Sequence, residues 1–507
     1  MAGIDQGLVA FFRTEPPESL LRNMFLWLFL AGCCIRAIGL WQPVIYKEWH
    51  EFDTASIARN FVREGMDILH PRIDWRGDGP GFAEMEFPIH PWLTAVFYKV
   101  AGIREVIGRI LMFSFSASTL VVFFLLARYL LPPWGALFAS TFFTLSPLHV
   151  RLSTALQPEG LMSLFYLLAV YNFLRWIDED SRYRYWSALA ATALAILVKA
   201  PAAHIGILFA FLVLQKKGWG ALKSRSVWAF AVLSTLPAIL WYLHAHKLWL
   251  IYGNSLGVSN ESHWVGIDFF TNSYFIRGLL KIELKSVWTP FGIVIGLLGM
   301  IYGIGNRKQT TQHLAFWILS IYTYYFFTSR TTADNWAAHY HIVSVPPVAM
   351  FFGLGVNASI SKYSDRKSFI FLFAALVCFT FIYQARGIIG HYKAAFTESK
   401  MFRCAEQIKP LIPSDVLILA SGGIGFDETG YPVAFNDPDM FYWLDRKGFN
   451  ISEEEQSIPA IEKIAERGAR YFIAKRDSLE KKPGLESELR KRYSVVHECS
   501  EILLIKL

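Results

Sequence analysis

Residues 20–43 read LLRNMFLWLFLAGCCIRAIGLWQP. A helix needs roughly 20 mostly apolar residues to cross about 30 Å of hydrocarbon, and this stretch has that length. No small-residue cleavage site follows it, so it reads as a retained helix and not as a signal peptide. Ten further apolar stretches follow, near 107–130, 133–147, 158–176, 186–199, 202–215, 226–245, 288–304, 312–328, 341–358 and 368–386. The fold class this predicts is an α-helical polytopic membrane protein of about 11 transmembrane helices.

The composition agrees. Of 507 residues, 54% are hydrophobic and 18% charged, against about 25% charged in soluble proteins. Disorder, collagen-like fibres and disulfide-rich secreted scaffolds are excluded. The five cysteines contain no C-x-x-C pair, which excludes a zinc finger or a thioredoxin-like site. Cys404 and Cys499 fall in one late region, where a bond is one of two open states. The net charge of +8 reports basic loops on one membrane face, with no nucleic-acid partner.

Orientation rests on those loops. The run 88–102 contains His90, Pro91 and Lys99. With this run lying flat, Arg22, Arg128, Arg175, Arg182, Arg184, Lys216, Lys217, Lys223, Arg225, Lys308 and Lys362 share the cytoplasmic side. The outer side then holds loops near 44–106 and 246–287 and everything after about 390. Within the first loop, Asp53 is expected to open a short helix. Its Ile57, Ala58, Phe61 and Val62 share one face suited to a membrane surface.

After about 395 charge becomes frequent. Strand-like runs at Val416–Leu419, Tyr471–Ala474 and Ile502–Ile505 alternate with a helix-like run from Ile458 to Arg467. This predicts a small extracytoplasmic α/β domain. The expected division is a membrane domain over 1–394, carrying the loop 44–106, and an outer domain over 395–507.

The candidate chemistry gathers at the expected outer edge of the membrane. Asp53 stands where the first loop begins its helix, and Glu86 where the loop returns. Two fixed carboxylates there can accept a proton from an attacking hydroxyl and orient it. Arg151, Glu159, Lys199, Arg330, Asp334, His339, Tyr340 and His341 lie near outer helix ends, where polar groups are costly. The cations among them suit a phosphate at headgroup level; the structural alternative for each is snorkelling or interhelical pairing. His244, His246 and His263 lack the spacing of a ligand set. Two glycosylation sequons, at Asn260 and Asn450, are of a kind that arises often by chance. No Gly-rich phosphate loop or dinucleotide fingerprint is present.

These residues resemble the membrane-embedded C-type (GT-C) glycosyltransferases, closest to the branch of protein O-mannosyltransferases and the lipid A aminoarabinose transferase. Asp53-Thr54-Ala55-Ser56-Ile57-Ala58 is similar to the family's acidic motif. Glu86-Phe87-Pro88, with Trp92 and Gly102, is similar to its Glu-Lys-Pro segment. Ser146-Pro147 with Arg151 and Glu159 is similar to a Ser-Pro, Arg, Asp arrangement. Val198-Lys199-Ala200-Pro201 is similar to Thr-Lys-Gly-Pro, and His339-Tyr340 with Pro346 and Pro347 to a late His-Tyr segment. Three positions depart. Thr54 stands where many members have a second acid, for which Glu51 is an alternative source. Phe87 replaces the lysine of Glu-Lys-Pro, and Glu159 replaces an aspartate.

The resemblance implies an integral-membrane glycosyltransferase of a bacterial inner membrane, acting on its outer face. It would move a sugar from a polyprenyl-phosphate donor to a hydroxyl or phosphate of a glycolipid, glycan or protein, with inversion. Asp53 would be the base and Glu86 the orienting acid. Lys199, Arg151 and Arg330 would stabilise the phosphate, with Glu51, Glu159, His339 and Tyr340 also binding substrate. No cofactor and no metal site is expected, although some C-type relatives use a divalent metal. Two rivals stand beside this: a polyprenyl-lipid transporter or flippase, which would place charges mid-span in inverted halves, and a non-catalytic lipid-binding relative.

Overall fold

The computed structural model describes residues 14–45, 49–258, 272–306, 308–333, 335–363, 367–426, 430 and 432–507. The Asn260 sequon, His263 and Asp334 lie outside the described residues, as does the side chain of Arg330. Each of the eleven apolar stretches is helical. They are Glu18–Ala37, Glu105–Leu130, Pro133–Thr144, Glu159–Glu179, Arg182–Val198, Ile205–Lys217, Arg225–Tyr252, Gly292–Gly305, Gln309–Phe327, Val345–Tyr363 and Lys367–Ala395. Among the described residues seven helical stretches are long and apolar enough to cross a membrane. The count is eight if Ser273–Val287 and Gly292–Gly305, bent by 95°, form one span. The shorter helices, such as the 12-residue Pro133–Thr144, span only about 18 Å at 1.5 Å per residue. Outward apolar side chains such as Trp27 (72% exposed), Leu240 (59%) and Phe371 (80%) suit lipid and not water. The chain is a multi-pass membrane protein.

The fold divides into two compact units. The first comprises the described residues of Met1–Trp41, Arg109–Leu240 and His263–Lys393. Its centre is the Val345–Tyr363 helix, almost wholly buried. Glycines let neighbouring helices approach it closely. A Cβ on Gly355 would lie 1.9 Å from the Ile295 carbonyl oxygen, and one on Gly353 would lie 2.2 Å from that of Gly135.

The second unit comprises Gln42–Gly108, the described part of Trp241–Ser262, and Ala394–Leu507. Its sheet has the order β2-β1-β3-β5-β4. The strands are β1 (Leu417–Ser421), β2 (Lys447–Ile451), β3 (Ala469–Lys475), β4 (Ser494–Glu498) and β5 (Ile502–Lys506). β1 pairs in parallel with β2 and β3, while β5 runs antiparallel to β3 and β4. Helix Ile458–Glu466 packs Ile458 and Ile461 into the core with Leu419, Phe472 and Leu503. Cys404 and Cys499 are bonded to each other.

The first loop therefore groups with the C-terminal segment and not with the membrane helices, which departs from the expected division. The physical cause is a dense seam inside the second unit. The Gly77 N–H donates to the Gly448 carbonyl at 2.7 Å, and the Gly448 N–H to that of Asp74 at 3.1 Å. The loop thus covers the open edge of β2, which would otherwise expose unpaired backbone groups. Arg59 bridges Asp74 at 2.6 Å and Asp445 at 2.9 Å. Arg467 meets Asp78 at 2.6 Å.

The loop holds two helices, of which the first differs from expectation. The first is Trp49–Glu64, so Asp53 sits in its second turn instead of opening it. The Thr54 hydroxyl donates to the His50 carbonyl at 2.9 Å, a back-bond that belongs to a running helix. Its Arg59 and Asn60 are buried along with Ile57 and Phe61, so it is a core helix of this unit and not one resting on lipid. The second helix, Ile89–Ala101, is 13 residues long and thus about 20 Å, short of a span.

Candidate active site

The second unit carries the acidic residues. Asp53 is 1% exposed. The Trp75 indole N–H donates to its Oδ1 at 2.8 Å, while its buried Oδ2 has no hydrogen-bond partner among the described residues. Burial pushes this carboxyl up to about 8; the Trp75 hydrogen bond opposes the shift, and the charges of Asp74 and Asp437 add to it. A carboxylate held on one oxygen and open on the other is oriented to accept a proton.

Glu51 is buried two residues before Asp53 on the same helix. Glu86 lies 3.7 Å from the His50 ring. His50 precedes Asp53 by three positions, so the two share a helix face. Glu86 thus approaches the Asp53 helix through His50. Phe87, the departure from lysine, packs edge-on against Trp241 with ring centroids 5.0 Å apart.

The first unit carries the cation. Lys199 caps the Arg182–Val198 helix in extended backbone and forms a buried ion pair with Glu159. The Tyr340 ring lies 4.6 Å from its Nζ, and the His339 Nε2 lies 3.8 Å from Glu159. Four of the sequence candidates thus meet: Glu159, Lys199, His339 and Tyr340. Local sequence explains each position. Pro201 has no N–H with which to continue the preceding helix, which ends at Val198, and Glu159 opens helix Glu159–Glu179 in its first turn, where a carboxylate complements the helix dipole. Arg151 belongs to the short helix Pro147–Leu152, which packs against the Asn335–Ser344 segment that carries His339 and Tyr340. Arg330 belongs to helix Ser329–Thr332, which packs on the same segment.

One organising residue escaped the sequence reading. Glu283 accepts from the Ser344 hydroxyl at 2.8 Å and from the Tyr322 hydroxyl at 3.1 Å, and pairs with the His341 Nδ1 at 2.6 Å. The opposite ring nitrogen of His341 lies 2.8 Å from the Thr332 carbonyl. This network fixes the segment bearing His339 and Tyr340, and it removes His341 from the free candidates. Only the polarity of Glu283 between apolar runs signalled it. Among the described residues no group of three or more His, Cys, Asp or Glu side chains is placed to hold a metal.

Known proteins share this architecture. The family model described as dolichyl-phosphate-mannose-protein mannosyltransferase matches residues 80–243. An uncharacterised protein of Aquifex aeolicus is 27% identical over 183 residues, 35% of this chain and 34% of that protein, so the match spans about a third of the relative's length. The crystal structure of ArnT from Cupriavidus metallidurans in the apo state superposes with a TM-score of 0.62 at 14% identity, covering 96% of this chain and 98% of that one. The same protein bound to undecaprenyl phosphate gives 0.58 at 14% identity, covering 96% and 97%. The apo oligosaccharyltransferase of Archaeoglobus fulgidus gives 0.56 at 12% identity, covering 89% of this chain and 69% of that one.

Proposed function

Because the chain carries the fold of the membrane-embedded C-type glycosyltransferases, we propose that it transfers a sugar from a polyprenyl-phosphate donor to an acceptor hydroxyl on the outer face of a bacterial inner membrane. The observation that carries this is the carboxylate of Asp53, fixed at Oδ1 by Trp75 and, among the described residues, unpartnered at Oδ2. The undecaprenyl phosphate bound by the ArnT neighbour supports a lipid-phosphate donor. The Cys404–Cys499 bond supports an oxidising compartment for the second unit.

In the proposed step the acceptor oxygen attacks the anomeric carbon as its proton passes to Asp53 Oδ2. The bond from that carbon to the lipid phosphate oxygen breaks, and the electron pair leaves on the phosphate. Direct displacement inverts the carbon. Glu86 orients the acceptor or the sugar. Lys199 offsets the charge on the departing phosphate, assisted by Arg151 and Arg330, with Glu51, Glu159, His339 and Tyr340 as neighbouring contacts. The donor arrives already activated by its phosphate, so no cofactor is invoked.

The test is purified full-length protein in proteoliposomes with radiolabelled polyprenyl-phosphate sugar. Bond cleavage and transfer to a hydroxyl acceptor are expected. Movement of intact donor across the bilayer without cleavage would assign a transporter instead, and donor binding without turnover a non-catalytic lipid binder. Cysteine labelling that puts positions 53 and 199 on opposite sides of the bilayer would remove the shared role of Asp53 and Lys199.

A further inference from the structure

An apolar groove in the first unit is used by none of the assignments above. It lies between helices Ile205–Lys217 and Arg225–Tyr252 and encloses about 270 Å³. Its floor is aromatic: Phe173 and Phe209 stack with ring centroids 3.8 Å apart, and Phe230 meets Phe173 edge-on at 5.1 Å. Its opening is lined by small, exposed residues, with Gly206 and Ala210 one turn apart on one wall and Ala231 on the other. A Cβ on Gly206 would meet nothing within 4 Å, so the space beside it is open.

The polar atoms of the walls select the kind of occupant. The Thr192 hydroxyl donates to the Ala188 carbonyl at 2.7 Å. Those of Ser234 and Thr235 donate to the Ala231 carbonyl at 3.3 and 2.8 Å. The Trp228 indole N–H donates to the Leu222 carbonyl at 2.9 Å. These donors are spent on backbone. A hydrocarbon chain fits such a lining; a sugar, whose hydroxyls each need a partner, does not.

One end of the groove has the chemistry of a headgroup layer. The turn Gly218–Lys223 closes this end. It carries Trp219, 79% exposed, and Leu222 and Trp228 are exposed beside it. Exposed tryptophans next to basic residues mark a membrane–water interface. Lys216, Lys217, Lys223 and Arg225 stand here. Lys216 pairs with Asp178 at 3.8 Å, and Glu179 is met by Arg175 and Arg184. Lys217 lies over the ring of Trp176, 5.4 Å from its centroid, and Trp176 lines the groove. Among the described residues Lys217, Lys223 and Arg225 form no ion pair with an acid.

This end is remote from Lys199. The Tyr185 hydroxyl donates to the Ser226 carbonyl at 3.0 Å, which ties the start of helix Arg182–Val198 to it. Lys199 lies at the other end of that helix, about 20 Å away at 1.5 Å per residue. A phosphate at Lys199 and one at Lys217 therefore belong to different molecules. A polyprenyl tail reaching down from Lys199 would bring no charge to meet the three cations. We propose that the groove holds an acyl chain of an anionic phospholipid whose headgroup is bound by Lys217, Lys223 and Arg225, in the leaflet opposite the Lys199 end. Basic pockets between membrane helices recognise anionic headgroups in this way. The site does not depend on the transferase reading.

The test is native mass spectrometry of the full-length protein, released from detergent micelles after incubation with dioleoyl phosphatidylglycerol or dioleoyl phosphatidylcholine. Phosphatidylglycerol should be retained at least about tenfold more, since each basic residue near a headgroup contributes about fivefold. The combined variant Lys217→Gln, Lys223→Gln and Arg225→Gln should erase that preference and leave retention of phosphatidylcholine unchanged. Gly206→Phe, which fills the groove, should lower retention of phosphatidylglycerol at least about tenfold, as displacing two buried methylenes does, at an unchanged melting temperature. If it melts early, Ala210→Phe, one turn further along the same wall, carries the same expectation. Equal retention of the two lipids by the wild type, or a preference undiminished by the charge or groove variants, overturns the site. Displacement of phosphatidylglycerol by neutral polyprenol overturns it too and gives the groove to a polyprenyl tail.

Discussion

Asp53 and Lys199 are both buried, yet their charges are met in opposite ways. Lys199 is answered by Glu159, with Tyr340 across its ammonium. Asp53 has one neutral donor, Trp75, and, among the described residues, no partner on its other oxygen. A buried ion pair is self-sufficient: its partners satisfy each other, and the pair holds its two helices in register. A half-satisfied carboxyl is costly, since burial without a partner disfavours its charge. The fold tolerates that cost at Asp53, where under the proposed function a substrate hydroxyl would supply the second partner. Under the proposed function, the contrast separates a residue whose main energetic partner is protein from one whose second partner would be substrate.

The sharpest way to break the contrast is Asp53→Asn. Removing a placed base costs typically 10²–10⁴-fold, so turnover of radiolabelled donor should fall at least about 100-fold. Stability should hold or improve, because a neutral amide can still accept from Trp75 and no longer resists burial. Near-normal turnover would remove Asp53 from the role of base. A matching loss in melting temperature would make it structural.

Lys199→Met tests the other side. It leaves Glu159 buried without its cation, which costs about 3–5 kcal/mol for a buried pair. Turnover should also fall, by roughly 10²–10³-fold if the ammonium stabilises the departing phosphate. The double variant Lys199→Met with Glu159→Gln removes both charges and should recover most of the stability. Under the proposed role it recovers none of the turnover. Recovery of both in thermal melts and donor-cleavage assays would reduce Lys199 to a helix-pairing residue.

The pH profile sharpens the comparison. A base must be ionised, and the Asp53 carboxyl is raised to about 8 by burial first. Turnover should therefore climb about tenfold per pH unit below 8 and level off above it. Trp75 stabilises the charged form, so Trp75→Phe should move the climb to higher pH. A profile flat between pH 6 and 8 in both proteins would mean that Asp53 does not titrate in the rate-limiting step.

The two units were also unequally legible in the sequence. The membrane helices announce themselves by apolar length, and β1, β3 and β5 by short runs of Leu, Ile and Phe. β2 does not: Lys447-Gly448-Phe449-Asn450-Ile451 mixes a glycine and an amide into the strand. Its glycine is required because a Cβ would lie 1.9 Å from the Ile418 carbonyl oxygen. β4 is mostly exposed and carries little hydrophobic signal. The bend between Ser273–Val287 and Gly292–Gly305 holds Pro290, a helix breaker that sequence shows, but no local pattern signals the positive φ of 62° that Thr289 adopts there. Glu283 meets His341 and Ser344 from 58 and 61 positions away, a distance no local period encodes. Among the site candidates, Glu159, Lys199, His339 and Tyr340 were found by their polarity at helix ends.

The smallest expected effect concerns Phe87, where the resemblance anticipates a lysine. If that position governed phosphate binding, Phe87→Lys should improve donor affinity. The structure gives the ring a different employment: it packs edge-on against Trp241, whose indole N–H donates to the Met85 carbonyl at 3.0 Å. Aromatic pairs of this kind contribute about 0.5–1.5 kcal/mol beyond area burial. Phe87→Lys should therefore lower stability by about that much and leave donor affinity unimproved, read by thermal melts and by donor titration. Tighter donor binding in the variant would mean that Phe87 occupies a vacated phosphate contact, and that the cationic work assigned to Lys199 is shared with the second unit.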